Sequence, residues 1–231
     1  MILRDFDMDL PYVIDESRKN MTNEETRQDW DLNWKWKEFN FVLMHRCMMA
    51  MISRLMPRID TEECWKITIQ CVEKNPKDGY LIVGGDCEVQ VLIDLEKFYN
   101  MTSLEKKQHA IAKTREAMEK IKPLFDVNII LDVCDKIVES GYNNTWFWKK
   151  SRKKKNLLAQ IKTVHEVEAV YIYMVFTDSK TKRTEEHLII TDKPSGRAFV
   201  KYYGSLEWID EKTAKLITKE NNEFIVRCET L

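Results

Sequence analysis

The sequence predicts an α+β fold in which helices cover a mostly antiparallel β-sheet. The first observation is the run Glu168 to Thr177, EAVYIYMVFT, which is β-branched, aromatic or apolar at nearly every position. Apolar side chains fall on both faces of such a strand, so we expect it to be central and covered on both sides. The second observation is the order of periodicities: alternating segments, then helical ones, then alternating ones again, which is typical of an α+β fold.

The composition predicts a globular protein. The chain has 231 residues, of which 44% are hydrophobic, and this is enough apolar material for a substantial core. We expect one α+β domain over residues 1–231. The first 33 residues are rich in acids, and we expect them to form a peripheral N-terminal segment.

A helix is predicted from about Glu38 to Leu55. Met44, Met48 and Met51 recur at helical spacing, and Pro57 follows the last periodic residue. The tryptophans and phenylalanines before residue 42 also fit an alternating pattern. Whether residues 34–56 form one helix is therefore left open by the sequence.

Residues 63–95 are predicted to form a three-stranded antiparallel meander. Trp65, Ile67, Ile69 and Cys71 alternate with polar residues, as in a half-buried strand. The pair Gly84-Gly85 supplies the positive φ angles of a tight hairpin between the next two strands.

Two helices follow, at about 103–122 and 127–140. Thr102 and Glu105 have the spacing of a capping box, and Pro123 ends the first helix. Gly141 is suited to the position just after the second helix.

The remaining residues are predicted to be β-rich. Strands are expected at 186–191 and 198–203, and a final hairpin at 214–218 and 223–228. Residues 156–164 fit either a short helix or the approach to the central strand.

Charge and cysteine usage predict a cytoplasmic protein. Lys and Arg number 37 against 38 Asp and Glu, so net charge favours neither a nucleic-acid binder nor a polyanion mimic. We find no signal peptide and no apolar run of about 20 residues. The six cysteines are scattered and none has C-x-x-C spacing, which indicates reduced thiols and no zinc site.

The histidines predict no metal site and no catalytic site. With a tight turn at 178–183, His187 lies opposite Met174, several strand rises away from His165. His45 and Cys47 are two residues apart on a helix and point away from each other. We expect a buried Cys47 and a peripheral His45, and no cofactor.

The segment from Trp146 to Lys155 has two interpretations. Aromatic residues beside a run of cations are typical of single-stranded nucleic-acid binding, through stacking on Trp146 and Trp148 and neutralisation of phosphates. The plainer interpretation is a loop anchored by its aromatics with a solvated charge run. The cations of the run are Lys149, Lys150, Arg152, Lys153, Lys154 and Lys155.

A protein-binding surface is the other functional hypothesis. Trp30 and Trp34 are four residues apart, so they share one helix face. Met49 falls off the apolar stripe of its helix and is the methionine expected to be exposed. Large aromatic and methionine side chains of this kind are typical of partner surfaces, and Trp146 and Trp148 are further candidates for the same surface.

Several short motifs carry a family resemblance. They are, in order, VLIDLEKFY, TSLEKKQHAIAKT, NNTWFWKK, VYIYMVF and YYGSLEW. Their order resembles that of small bacterial cytosolic proteins of the immunity type that accompany polymorphic toxins, over about residues 88–210. The resemblance implies a non-enzymatic protein that neutralises a cognate toxin by forming a stable complex. The first 60 residues lie outside it, and the near-neutral charge departs from the acidic surface often seen in such inhibitors.

Overall fold

The computed structural model describes residues 1–14, 16–195 and 199–231, with side chains except at positions 149 and 150. Contacts divide the chain into two compact units, Met1–Asn143 and Asn144–Leu231. The α+β fold class is confirmed, and the described helices of the α type all belong to the first unit. That all 231 residues form a single domain stays a prediction.

The first unit contains short and long strands together with the α-helices. Its strands are β1 (Ile2–Leu3), β2 (Asp5–Asp9), β3 (Ile59–Asp60), β4 (Lys66–Val72), β5 (Tyr80–Val83) and β6 (Asp86–Leu92). Its helices are α1 (Asn23–Asp29), α2 (Lys35–Leu55), α3 (Leu95–Tyr99), α4 (Ser103–Ile121) and α5 (Asn128–Glu139). A single π-helical turn, Trp30–Trp34, joins α1 to α2.

The main sheet of this unit has the strand order β2-β4-β6-β5. β4 pairs in parallel with both β2 and β6, and only β5 and β6 are antiparallel. The predicted antiparallel meander is therefore wrong, although the Gly84-Gly85 hairpin is present, with φ angles of 58° and 84°. Alternation cannot decide strand order: the hairpin sets β5 beside β6, but long-range packing places β6 against β4.

The acidic N-terminal segment contributes to the core, so its first residues are not peripheral. Phe6 and Met8 on β2 are fully buried, while Asp5, Asp7 and Asp9 lie on the other face of the strand. Helix α2 covers the outer edge of β2. The backbone N–H of Phe6 donates to Ser53 Oγ at 3.0 Å, and Arg46 donates to Asp7 at 3.2 Å. These contacts protect an edge strand from pairing with another chain.

The predicted helix over 38–55 is confirmed, and it begins three residues earlier, directly after the π turn. Met49 is fully buried, so its predicted exposure is wrong. The reason is that α2 contacts β2 as well as α4 and α5, and more than one face of the helix is covered. A single-stripe pattern underestimates burial on such a helix.

The helices predicted at 103–122 and 127–140 are confirmed as α4 and α5. Thr102 and Glu105 form the predicted capping box, with reciprocal hydrogen bonds between their side chains and backbone N–H groups. Gly141 follows α5 with a φ of +65°. The short helix α3, capped by Asp94, has no counterpart in the sequence prediction.

The second unit is built from strands. They are β7 (Thr145–Lys154), β8 (Leu157–His165), β9 (Val170–Asp178), β10 (Thr184–Asp192), β11 (Ser205–Trp208), β12 (Thr213–Ile217) and β13 (Glu223–Arg227). They form two antiparallel sheets, β10-β9-β8-β7 and β11-β12-β13. Residues 157–164 belong to strand β8, which resolves the alternative left open by the sequence.

The core of this unit lies on one face of β8 and β9 and on the facing side of the smaller sheet. Its buried members are Leu157, Ala159, Ile161, Val170, Ile172, Met174, Phe176, Ile190, Phe199, Leu206, Ala214, Leu216 and Cys228. β9 is an inner strand, as predicted, but its second face is only partly covered. Tyr171 and Tyr173 are half-buried there, and the ammonium of Lys162 lies 4.6 Å from the Tyr173 ring centroid.

The strand predicted at 198–203 is wrong. Phe199–Tyr202 forms a 3-10 turn, and Ala198 lies outside the described residues. Phe199 is buried in the core and Tyr202 donates to Asp192 at 2.7 Å. The segment is rich in the aromatic residues that are common in strands because these side chains pack on the core, and not because the segment forms a strand. The final hairpin is confirmed as β12 and β13.

Candidate functional site

Trp34 is buried and lies away from any partner surface. Its indole Nε1 donates to the Leu10 carbonyl at 3.0 Å, and its ring meets the edge of Tyr12 at a centroid distance of 5.9 Å. These contacts attach the segment after β2 to the start of α2. Trp34 and Met49 therefore do not belong to a protein-binding surface, contrary to the prediction, because neither side chain is accessible.

Trp30 is half-buried and keeps a surface position. Its Nε1 donates to the Glu38 carboxylate at 3.0 Å, and the Lys35 ammonium lies 5.2 Å from its ring centroid. The sequence placed Trp30 and Trp34 on one face. The π turn between them alters that relation, because Lys35 N–H bonds to the Trp30 carbonyl five residues back.

The π turn also exposes apolar residues that the sequence did not single out. Leu32, Trp36 and Phe39 are 79%, 67% and 42% exposed. Trp36 and Phe39 touch edge to face at a centroid distance of 5.8 Å. A π turn inserts one residue into the helical repeat, so apolar residues on either side of it fall out of phase with the buried stripe. We call these three residues the helix patch.

Charged residues flank the helix patch in the sequence. From Asn23 to Asn40 the chain has five acidic residues and three basic ones. Asp29 accepts hydrogen bonds from the Tyr12 hydroxyl, Asn33 and Arg18, and these lower its pKa to about 2. Asp31 pairs with Lys35 at 2.9 Å. The segment thus has a small excess of acidic residues, and two of its carboxylates, those of Asp29 and Asp31, are ion-paired.

A row of polar residues lies on the main sheet of the first unit, on the face opposite Phe6 and Met8. In register across β2, β4 and β6 they are Asp5, Lys66 and Asp86, then Asp7, Thr68 and Glu88, then Asp9, Gln70 and Gln90. Lys66 lies 3.3 Å from Asp86 and 3.7 Å from Asp7. Burial, with Glu38 nearby, raises the pKa of Asp9. Alternation of Asp with Phe and Met in residues 5–9 is the sequence signal that predicts this strand.

His45 is fully buried, which corrects its predicted peripheral position. Its Nδ1 lies 2.9 Å from the Phe41 carbonyl and its Nε2 lies 3.3 Å from Nδ1 of His109. A carbonyl only accepts, so His45 carries its proton on Nδ1 and His109 donates from Nδ1. The Nε2 of His109 is then an acceptor. This pair could not be found from sequence, because 64 residues separate its members.

Burial lowers the pKa of His45 to about 3 and that of His109 to about 4. His109 borders an open depression of about 420 Å³, also lined by Lys97, Glu105 and Gln108. At neutral pH its imidazole is uncharged and a weak base, so it is poorly matched to general base catalysis. Hydrogen-bond acceptance is the chemistry that this geometry supports.

The other two histidines are separated as the sequence predicted, although His165 is fully buried. His187 is opposite Met174, as predicted, and His165 is opposite Val170, four residues nearer the start of β9. Four strand rises amount to about 13 Å. In the ranges 1–14, 16–195 and 199–231, no three His, Cys, Asp or Glu residues come together as a metal-binding group.

Trp146 and Trp148 are half-buried and pack on the core of the second unit. Trp146 lies 5.8 Å from the Phe199 ring, and Trp148 stacks on Tyr203 at 5.5 Å with an interplanar angle of 20°. One face of Trp148 is therefore covered by Tyr203, and Trp146 is packed against Phe199. Both rings are only partly accessible for stacking of nucleic-acid bases.

The basic run that follows is part of the β7–β8 hairpin. Arg152, Lys153, Lys154 and Lys155 are all exposed at its tip, whereas the side chains of Lys149 and Lys150 lie outside the described part of the chain. Lys155 forms an ion pair with Glu211. The segment is a β-strand paired with β8, and not the connecting loop of the plainer interpretation.

Comparisons of this chain with protein-family models, with curated proteins and with solved structures find no match. The resemblance to immunity proteins stays a prediction. No helix in the described part of the chain is long and apolar enough to cross a membrane.

Proposed function

We propose that this chain is a non-enzymatic protein-binding module. Its most concrete form is an immunity protein that neutralises a cognate toxin by holding it in a stable complex. The observation that carries the proposal is the helix patch, in which Leu32 in the π turn and the touching rings of Trp36 and Phe39 at the start of α2 are all exposed.

Exposure of these residues together is unusual for a surface without a partner. Single exposed apolar residues are common, but clustered ones mark interaction sites. Tryptophan is among the residues that contribute most to binding energy at interfaces. The patch lies on a helix fixed by Phe41, Met48 and Ile52, which are fully buried. A rigid presentation lowers the entropic cost of binding.

The charges around the patch select the kind of partner. The first unit carries 26 acidic residues against 20 basic ones. This acidic excess favours a partner whose surface is basic around an apolar pocket that accepts the Trp36 and Phe39 rings. Complementary charges raise the association rate and disfavour acidic partners. A cationic toxin, blocked by occlusion of its own surface, fits this description.

The experiment compares capture by the wild-type chain and by W36A/F39A, from a nuclease-treated lysate of its native cells. We expect the wild-type chain to retain one basic protein in near-equal amount and the variant to lose it. The matched control is L92A/L104A, which removes two comparably exposed leucines elsewhere in the first unit and should retain the partner.

A growth assay then tests neutralisation. Production of the captured protein alone should arrest growth, and the wild-type chain should restore growth where W36A/F39A does not. Capture that is unaffected by W36A/F39A would contradict the proposed surface. A captured protein without toxicity would leave a binding module but remove the immunity function.

A further inference from the structure

We infer that one end of the second unit is a binding site for the phosphodiester backbone of a nucleic-acid duplex. The site recognises charge and does not use base stacking. It is independent of the helix patch, since it lies on different residues in a different unit. Two turns contribute its cations, β7–β8 and β9–β10, and the β11–β12 turn lies beside them through the ion pair of Glu211 with Lys155.

The first two turns are joined by a backbone hydrogen bond. The N–H of Ser179, in the β9–β10 turn, donates to the carbonyl of Asn156, in the β7–β8 turn, at 2.7 Å. Lys155 takes a φ of +51° and Lys182 a φ of +62°, which fixes the bends. Asp178 accepts from the N–H groups of Lys180 and Thr181, each at 2.8 Å. The geometry of both turns is thus set by the backbone.

These turns bring together cations that are far apart in sequence. Seven basic residues, all exposed, lie at this end: Arg152, Lys153, Lys154, Lys155, Lys180, Lys182 and Arg183. The carboxylates there are Asp178, Asp210 and Glu211. Asp178 is occupied by its own turn, and Glu211 is paired with Lys155. Within the described residues, no ion pair joins Lys153, Lys154, Lys180, Lys182 or Arg183 to a carboxylate.

The spacing of the cations suits a polyphosphate. Neighbouring strands lie about 4.8 Å apart, so the tips of two adjacent hairpins are separated by about 10 Å. A nucleic-acid strand carries one charge per roughly 3.4 Å of duplex axis. Cations on both tips therefore reach several phosphates at once. The second unit as a whole has 17 basic and 12 acidic residues, which adds a favourable long-range field.

A duplex fits better than a single strand. Single-strand binding without sequence preference depends on accessible aromatic platforms, whereas Trp148 stacks on Tyr203 and Trp146 packs at a tilt against Phe199. A duplex offers the higher density of charge and needs no stacking surface.

The test measures binding of a labelled 20-base-pair DNA duplex to the full chain by fluorescence anisotropy over a range of salt concentrations. If about four phosphates are contacted, the plot of log K against log salt has a slope near −4. We expect K180E/K182E and K153E/K154E each to weaken binding about tenfold or more at 0.1 M salt, with shallower slopes. The matched control K193E/K219E reverses two exposed lysines at the other end of the unit and should reduce binding much less.

Several outcomes would overturn the inference. One is equal binding by K180E/K182E and K193E/K219E, which would mean that only total charge matters. A single-stranded oligonucleotide that binds more tightly than the duplex would indicate stacking. Binding to vesicles of anionic lipid without binding to the duplex would assign the site to membranes. W36A/F39A should bind the duplex normally. The duplex-binding inference and the protein-binding proposal can therefore be contradicted independently of each other.

Discussion

The two units of this molecule have opposite charge and different construction. Residues 1–143 carry 20 basic and 26 acidic residues, whereas residues 144–231 carry 17 and 12. The chain as a whole is nearly neutral, and on that basis the sequence disfavoured nucleic acid as a partner. The net charge of a whole chain therefore excludes a class of partner only when acidic and basic residues are not separated into different units.

The units also differ in how they bury apolar surface. The first unit packs helices against a mixed sheet, while the second packs two antiparallel sheets. Phe41 in the first and Phe176 in the second are both fully buried, so they are matched probes of the two cores.

Truncation of Phe176 to Ala should destabilise the second unit by about 3–5 kcal/mol, because it removes a buried ring and leaves a cavity. Hydrogen exchange of the full-length variant is the measurement. We expect amides in residues 144–231 to lose protection, while Phe41→Ala has its main effect in residues 1–143. Equal losses in both units from either substitution would instead support the single domain predicted from sequence.

Acidification should destabilise the first unit through His45. Its pKa is lowered to about 3 in the folded state, so the unfolded state binds a proton first as the pH falls below about 6.5. Stability is therefore present at neutral pH and is lost on acidification. His45 alone accounts for about 2 kcal/mol between pH 7 and pH 5.

Urea unfolding at pH 7, 6 and 5 measures this effect. His109, with a pKa of about 4, adds a loss of the same sign. The variant H45Q/H109Q should show a flatter dependence on pH over this range. A wild-type profile as flat as that of the variant would mean that the pair is not buried and neutral as described.

Removal of a helix cap should have different effects on two helices of the first unit. Thr102 and Thr22 make the same capping box, but α4 contains buried residues such as Ile111 and Met118, whereas α1 contains none. Thr102→Ala should cost about 1 kcal/mol of global stability. Thr22→Ala should only increase fraying of α1. Thermal unfolding distinguishes the two, and equal shifts in Tm would show that α1 is part of the cooperative unit.

The smallest effect is expected for Lys155→Ala. Its ion pair with Glu211 is exposed and screened by salt, so Tm should stay within experimental error. A clear fall in Tm would mean that the basic turns are needed for folding. The charge reversals in the same turns would then no longer report on binding alone.

The features predicted correctly from the sequence depend on neighbouring residues. The capping box of Thr102 and Glu105, the Gly84-Gly85 hairpin and the pairing of His187 with Met174 all follow from spacing within one segment or one hairpin. Such features are set by local hydrogen bonding and by the backbone freedom of glycine.

The errors arose where distant contacts decide the outcome. Met49 was expected at the surface because one stripe of α2 was counted, but α4 and α5 cover another part of the helix. The helix patch was missed because the π turn, which alters the phase of the helix at Trp30–Trp34, has no recognised signature in sequence. In the same way, long-range packing decides that β6 pairs with β4, and an alternating pattern carries no information on such packing.

The α+β class, the long helices and most of the strands could be predicted from the amino-acid sequence, because periodicity and capping act within a few residues. Which side chains meet depends on the tertiary structure. It joined His45 to His109, buried Trp34 beneath Tyr12, and set Lys180 and Lys182 beside the basic run that ends at Lys155. Each of these depends on close packing between segments far apart in the chain, and one segment does not encode the position of another.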